Sequence, residues 1–188
     1  MEQDFEFLKY VPIFSNLEDE QLNKIVRMGA FRSFKKDSII LSENEDGSGL
    51  YVIVQGEVKV SRFGDDGREV IFAQLHLSDF FGEMSIMDGF APSATVSATE
   101  DSELFLLKKE DFLNLVKNNH EIVLSMLSEI TGRIRAADRK IKALSMLDAE
   151  GKIASVIVQL ADEIGRIKKG QVEIQKLPFQ HDMANMAG

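Results

Sequence analysis

Six apolar residues, Leu127, Ile130, Ile134, Ala137, Ile141 and Leu144, follow one another at spacings of 3, 4, 3, 4 and 3. This is an unbroken a/d seam, and its period of 3.5 residues suits a helix that packs lengthwise on another helix. Leu113, Val116 and Val123 lead into it, so the chain reads as helical from Lys108 onward. Arg133, Arg135, Arg139, Lys140 and Lys142 fall off the seam and are expected in solvent. A helix from Asn119 to Leu147 would run about 43 Å. So narrow a stripe on so long a helix fits a symmetric partner better than a globular core. The competing arrangement lays the helix across the chain's own sheet.

Before the seam the period changes. Leu17, Leu22, Ile25, Val26 and Met28 lie near helical spacing, with Ser15 or Asn16 as the expected cap and Glu18, Asp19 and Glu20 in the first turn. From about residue 31 to 107 the chain turns to short β-branched and aromatic runs, at residues 50–54, 58–60, 70–75, 94–98 and 104–107. Turn signals separate them at Asp46-Gly47, Gln55-Gly56, Gly64 to Gly67 and Asp88-Gly89. Many short strands at even spacing predict an antiparallel roll or barrel, with a plain β-sandwich as the alternative. The fold class expected is therefore α+β.

Charge divides the chain at about the same place. The net charge is −9, but residues 1–108 carry 10 Lys+Arg against 20 Asp+Glu, and residues 109–188 carry 12 against 11. The acidic first part repels a polyanion; the near-neutral second part does not. With no Cys, disulfides, thiolate metal sites and cysteine nucleophiles are excluded. The acidic start MEQDFEFLKY is not that of a secretory leader, and no apolar run reaches the length of a membrane span. A cytoplasmic protein without membrane association is expected.

After the seam, Asp148 is the expected cap of a helix carrying Ile153, Val156, Ile157, Leu160, Ala161 and Ile164, closed by Gly165. Lys168-Lys169-Gly170 is predicted to turn between Arg166-Ile167 and Val172-Glu173-Ile174. Pro178 then precedes a short helix from Phe179 to Ala187, stopped by Gly188. On this reading Met183, Met186 and Ala187 have little to pack on.

One stretch carries chemistry. Phe81-Gly82-Glu83-Met84-Ser85-Ile86-Met87-Asp88-Gly89, followed by Pro92-Ser93-Ala94-Thr95-Val96, reads as a strand end, a glycine and a short helix whose first N–H groups are free. Such a helix start suits a phosphate, through backbone donors and its positive dipole end. Gly82 would let a ligand approach the backbone, Glu83 could accept from sugar hydroxyls, and Ser93 and the Ala94 N–H could donate to phosphate. An ordinary inter-strand loop is the competing reading.

Taken together, the initial helix, the roll with Leu50-Tyr51-Val52-Ile53-Val54-Gln55-Gly56-Glu57-Val58, the Phe81-Gly82-Glu83-Met84 and Ser93-Ala94-Thr95-Val96 segments and the seam helix resemble the cyclic-AMP receptor protein / fumarate–nitrate regulator (Crp/Fnr) family. The resemblance covers essentially all 188 residues. Gln180, Asp182, Ala184 and Gly188 fit the opening of that family's helix-turn-helix. The resemblance implies a double-stranded β-helix (jelly roll) sensor over residues 1–118, a dimerisation helix over 119–147, and a partial winged helix over 148–188 that ends before the recognition helix. It implies a homodimeric, non-enzymatic transcription regulator with a small-molecule effector and promoter DNA as partners. Phe81, Gly82, Glu83, Met84, Ser85, Pro92, Ser93, Ala94, Ala137 and Asp138 would line the effector site, and the six seam residues the dimer interface.

The chain departs from that family where cyclic AMP is held. Cyclic-AMP binders place an Arg immediately before the Ser-Ala-Thr stretch; here Pro92 stands there. Losing one charge-assisted contact of about 1.5–3 kcal/mol weakens binding by one to two decades. The long-helix positions that meet adenine fall at Ala137, with no hydrogen-bonding side chain, and Asp138, an anion. Cyclic AMP is therefore expected to bind weakly. Cyclic di-GMP using Arg62, Arg68, Arg133 or Arg135, a ligand-independent regulator, and the regulatory module of a kinase or channel are the other readings. The Phe179–Gly188 stretch speaks against the last. His76, His120 and His181 lack ligand spacing, Glu43, Glu45 and Asp46 belong to no metal-loop pattern, and no catalytic arrangement emerges, so neither metal nor heme nor enzyme activity is expected.

Overall fold

A computed structural model describes residues 5–187 except 44, 46, 48, 169, 175 and 176 and the side chain of 163. The turn and acidic cluster assigned to Asp46, the turn residue Lys169 and the helix stop at Gly188 lie outside the described residues. The chain divides into two compact units. The first runs to Arg62 and resumes over Phe72–Thr131; the second is Phe63–Ile71 with Gly132–Gly188.

A 3-10 turn, Glu6–Tyr10, precedes α1 (Asp19–Met28). Neither Ser15 nor Asn16 caps α1: the cap is Glu18, in a reciprocal box with Gln21, whose Oε1 accepts from the Glu18 N–H at 3.0 Å. Ser15 instead donates to the Pro12 carbonyl. Strands β1 (Ala30–Phe34), β2 (Ile39–Leu41), β3 (Gly49–Gln55), β4 (Val58–Phe63), β5 (Glu69–Leu75) and β6 (Phe80–Phe81) follow, then α2 (Glu83–Asp88), β7 (Thr95–Ala98) and β8 (Ser102–Lys108). They form two four-stranded sheets, ordered β1-β8-β3-β6 and β2-β7-β4-β5, with antiparallel pairings.

The β3–β8 pair explains why its sequence is so uniformly apolar. Its register sets Leu50 against Leu107 and Val52 against Phe105. These residues pack with Leu22, Ile25 and Val26 of α1, with Phe112 of α3 (Lys109–Asn118) and with Ile122 and Met126 of α4 (His120–Met146). Alternate residues Tyr51, Ile53 and Leu104 face the other way, joining Leu41, Val58, Phe81 and Val96 from both sheets inside the roll. A strand buried on both faces needs no polar alternation. Strands β1 and β2 escaped the sequence reading, since AFRSF has no fully buried residue and β2 has only three residues, while the strand end read at Phe81 is the second residue of β6. Phe31 of β1 nonetheless sits in an aromatic triad with Phe7 and Phe105, at centroid distances of 5.4–5.7 Å.

Helix α3 is separated from α4 by Asn119, extended at φ −136°, ψ 100°. Its side chain donates to the Leu115 carbonyl and accepts from Gln21 Nε2, which pins the break. α4 then runs unbroken for 27 residues, about 40 Å.

In the second unit, α5 (Ala149–Ile164) starts as expected, with Asp148 Oδ1 accepting from the Gly151 N–H at 2.9 Å. The hairpin β9 (Arg166–Lys168) and β10 (Gln171–Glu173) pairs Val172 with Ile167, and α6 (Gln180–Ala187) closes the chain. The expectation that α6 packs on little is corrected. Met186 is buried with Val156 and Leu160 of α5 and Ile71 of β5, and Met183 and Ala187 pack against that cluster. Lys140 is also not in free solvent: its Nζ donates to the Ile71 carbonyl at 2.5 Å.

Candidate effector cassette and seam helix

Residues 81–94 form one local structure on the first unit. Phe81 pairs with Tyr51 across β6–β3 and stacks on its ring, with centroids 5.1 Å apart and an interplanar angle of 6°. Gly82 then turns the chain at φ +91°, and a Cβ there would lie 2.4 Å from the Gly49 carbonyl oxygen. Only glycine meets both demands. The turn delivers Glu83 as the first residue of α2, 3% exposed, with Ser85 and Ile86 also buried and Met84 and Met87 half-exposed. Gly89 ends the helix at φ +75°, and Asp88 Oδ1 accepts from the Phe90 N–H.

The second half of the cassette presents a different chemistry. Pro92 and Ala94 are buried, while Ser93 is exposed with its Oγ 3.8 Å from Met84 Sδ. A Cβ on Gly47 would lie 2.8 Å from Ser85 Cβ and 3.9 Å from Pro92 Cγ, so the residue-47 backbone covers both. The cation held here is one that sequence reasoning missed. Lys109, the first residue of α3, donates to the Ser85 carbonyl at 3.5 Å. Its 24-residue distance from Ser85 in sequence leaves no signal to find it by.

Ala137 and Asp138 lie on the part of α4 that belongs to the second unit, both exposed. Of the arginines named for a larger cyclic dinucleotide, Arg62 is paired with Glu43 at 3.0 Å and Arg68 with Asp66 at 2.5 Å. Asp66 is held below the ordinary carboxyl range, first by the Arg68 backbone N–H and then by its side chain. Arg135 is exposed and Arg133 half-buried.

Along α4 the seam is laid bare. Leu127, Ile134 and Ile141 are 55–61% exposed, Leu144 is 40% exposed, and Ala137 is exposed too, with Leu124 extending the stripe toward the N-terminus. Ile130 differs, being half-buried against the core of the first unit. Such a run of large exposed apolar side chains marks an interaction surface.

The histidines have local partners: His76 Nδ1 is 3.8 Å from Glu57, and His181 is 3.3 Å from Asp182 and stacked on Phe179. Among the described residues no group of three or more His, Asp or Glu is placed to hold a metal, and no helix is long and apolar enough to cross a membrane.

The family model of the cyclic nucleotide-binding domain matches residues 31–119, from the second residue of β1 to just past α3, so the class of the first unit is that domain. The CRP-like cAMP-activated global transcriptional regulator of Mycobacterium tuberculosis is 25% identical over 183 residues, covering 97% of this chain and 82% of that protein. The cyclic AMP receptor protein of Thermus thermophilus is 27% identical over 181 residues, covering 96% and 81%. Among solved structures, the c-di-GMP-responsive global regulator CLP of Xanthomonas campestris superposes with a TM-score of 0.77 at 17% identity, covering 90% of this chain and 84% of that one. The chain thus carries a cyclic nucleotide-binding domain over residues 31–119 and is similar along nearly its whole length to transcription regulators of the cyclic AMP receptor protein type.

Proposed function

We propose that this chain is an allosteric transcription regulator whose roll, residues 1–118, takes a small anionic effector at Gly82, Glu83, Ser85, Ser93 and the Ala94 N–H. Residues 119–147 are its dimerisation helix, and residues 148–188 the opening part of a winged helix directed at promoter DNA in the cytoplasm. The observation that carries the effector site is the turn at Gly82, which no other residue type fits and which brings a buried carboxylate and a helix start to one place. The exposed stripe from Leu124 to Leu144 supports the dimer: two such stripes facing each other remove large apolar side chains from water. An effector acts in such a dimer only through its difference in affinity for the two states of DNA competence. No catalytic group is part of this reading.

Among effectors, the relatives from Mycobacterium tuberculosis and Thermus thermophilus are named for cyclic AMP and the Xanthomonas structure for cyclic di-GMP. Here buried, uncharged Pro92 stands where cyclic-AMP binders carry the phosphate-pairing Arg. The wild-type chain should bind cyclic AMP no more tightly than about 10 μM. Pro92→Arg should tighten it by about ten- to a hundredfold, and Glu83→Ala added to that variant should abolish the gain. Calorimetric titration of the wild type and both variants with cyclic AMP, cyclic GMP and cyclic di-GMP tests this. Submicromolar binding of cyclic AMP by the wild type refutes the role given to Pro92. Selective tight binding of cyclic di-GMP makes that the effector, with Arg133 and Arg135 as the next positions to change.

A further inference from the structure

The chain has eight methionines and no Cys, so thioethers are the sulfur it offers to an oxidant. Met126 and Met186 are 3% exposed and lie in packed cores. Met84 and Met87 are the opposite case. They stand three apart on one side of α2 in the effector cassette, 53% and 50% exposed, while Glu83, Ser85 and Ile86 of the same helix are buried. The two differ in one respect. Met84 Sδ is 3.8 Å from Ser93 Oγ, whose hydroxyl donates to it; among the described residues Met87 Sδ has no such donor. A thioether is a weak acceptor, so the single Ser93 hydroxyl proton stays available to a stronger one.

We propose that Met84 is a modification site: a hydroperoxide converts it to the sulfoxide, and the Ser93 hydroxyl responds to the change. A lone pair on Sδ attacks one peroxide oxygen, so that the S–O bond forms as the O–O bond breaks. With hydrogen peroxide, the second oxygen leaves with both hydrogens as water. Sulfur loses two electrons and the peroxide gains them; dithiol-driven reductases reverse the step. The product is polar where the thioether was apolar. An oxygen carried on Sδ reaches Ser93 Oγ at the length of an O–H···O bond, about 2.7–2.8 Å, without displacement of α2. The Ser93 proton then goes to the sulfoxide and is withdrawn from an effector anion. That last consequence rests on reading Ser93 as an effector donor; the oxidation and its hydrogen bond do not.

Treatment of the 188-residue chain with hydrogen peroxide, followed by peptide mass spectrometry, should show one added oxygen on Met84 and on Met87 before any on Met126 or Met186. Urea unfolding followed by tyrosine emission reads the hydrogen bond, since Tyr10 and Tyr51 both belong to the first unit. Oxidation should lower the folding equilibrium constant about two- to tenfold more in Ser93→Ala than in the wild type. That excess should vanish when Met84→Leu is the background and persist when Met87→Leu is. A Met84 that stays a thioether while Met87 is oxidised overturns the inference, as does an equal cost of oxidation with and without the Ser93 hydroxyl. Calorimetry of Pro92→Arg with cyclic AMP reads the consequence: oxidation should weaken binding about two- to tenfold, and leave it unchanged once Met84→Leu is added. The unfolding excess without a change in affinity supports the Met84 site and removes Ser93 from the effector site. Absence of cyclic AMP binding by Pro92→Arg before oxidation counts against the effector reading alone, and the unfolding comparison then decides Met84.

Discussion

Gly82→Ala is the perturbation whose cost follows most directly from geometry. Two terms add. The backbone sits at φ +91°, a region that costs a residue with Cβ about 1–2 kcal/mol. The new methyl would also lie 2.4 Å from the Gly49 oxygen and 3.6 Å from Tyr51 Cδ2. Gly49 cannot withdraw, because it is pressed against β8 so closely that its own Cβ would be 2.2 Å from the Leu107 oxygen. Forcing the chain apart here is overpacking, worth about 1–3 kcal/mol. The total is about 2–5 kcal/mol. Gly89→Ala is the control, since Gly89 has φ +75° and nothing within 4 Å of its added Cβ, leaving only the conformational term. The entropy that alanine removes from the unfolded chain is common to both sites and cancels in the difference. Urea unfolding followed by circular dichroism and by tyrosine emission should therefore give Gly82→Ala at least about 1 kcal/mol less stability than Gly89→Ala. The chain has two tyrosines and no Trp, and Tyr51 stands beside the perturbed turn, so the emission reports on the roll. Equal losses within about 0.5 kcal/mol would refute the claim that the Gly49 carbonyl excludes a side chain.

Two further outcomes are expected. Ile134→Glu places like charges at the centre of the seam, so sedimentation should convert a wild-type dimer to monomers at micromolar concentration; a wild type already monomeric there sinks the dimer reading. Asp101 is held below its ordinary value of 3.8, first by the hydrogen bond from Lys35 and then by the Lys36 N–H. A carboxyl depressed in the folded state adds stability above its unfolded pKa and loses it as pH falls through the folded one, so stability should decline below pH 3.8 in a way that Lys35→Met reduces. Carboxyl-carbon NMR should place the wild-type midpoint below 3.8 and raise it in Lys35→Met; the same midpoint in both removes Lys35 as the cause.

Much of the fold was legible because its strongest elements repeat a local rule. The runs at Leu50–Val54 and Leu104–Leu107 are apolar on both faces and lie in β3 and β8, and Asp148 announced α5 through a cap that needs only Gly151 three residues on. The cap at Glu18 was misplaced because a capping box is a pair, and Ser15 and Asn16 lack the Gln21 that completes it. β1 went unseen because its partner supplies what its own sequence lacks: the ladder to β8 makes it a strand. In the cassette, Gly82 and Glu83 stood out by type and order, whereas Lys109 and Tyr51 enter only through contacts across the fold.

The sequence by itself determined periods: the 3.5-residue seam of α4, the strand-rich middle, the charge difference between the two parts, and the glycine at the strand–helix turn. These follow from interactions between near neighbours, which the order of residues states outright. Tertiary structure decided what each apolar residue meets. Ile130 turned from the seam into the core of the first unit while Leu127 and Ile134 stayed exposed. Lys140, one of five cations off the seam, found a strand carbonyl 69 residues away. Ile71, one apolar residue among several in β5, is buried in one cluster with Val156, Leu160 and Met186, which lie 85 or more residues further along the chain. Burial and hydrogen bonding between distant residues depend on the whole packed chain, so no local window of sequence contains them.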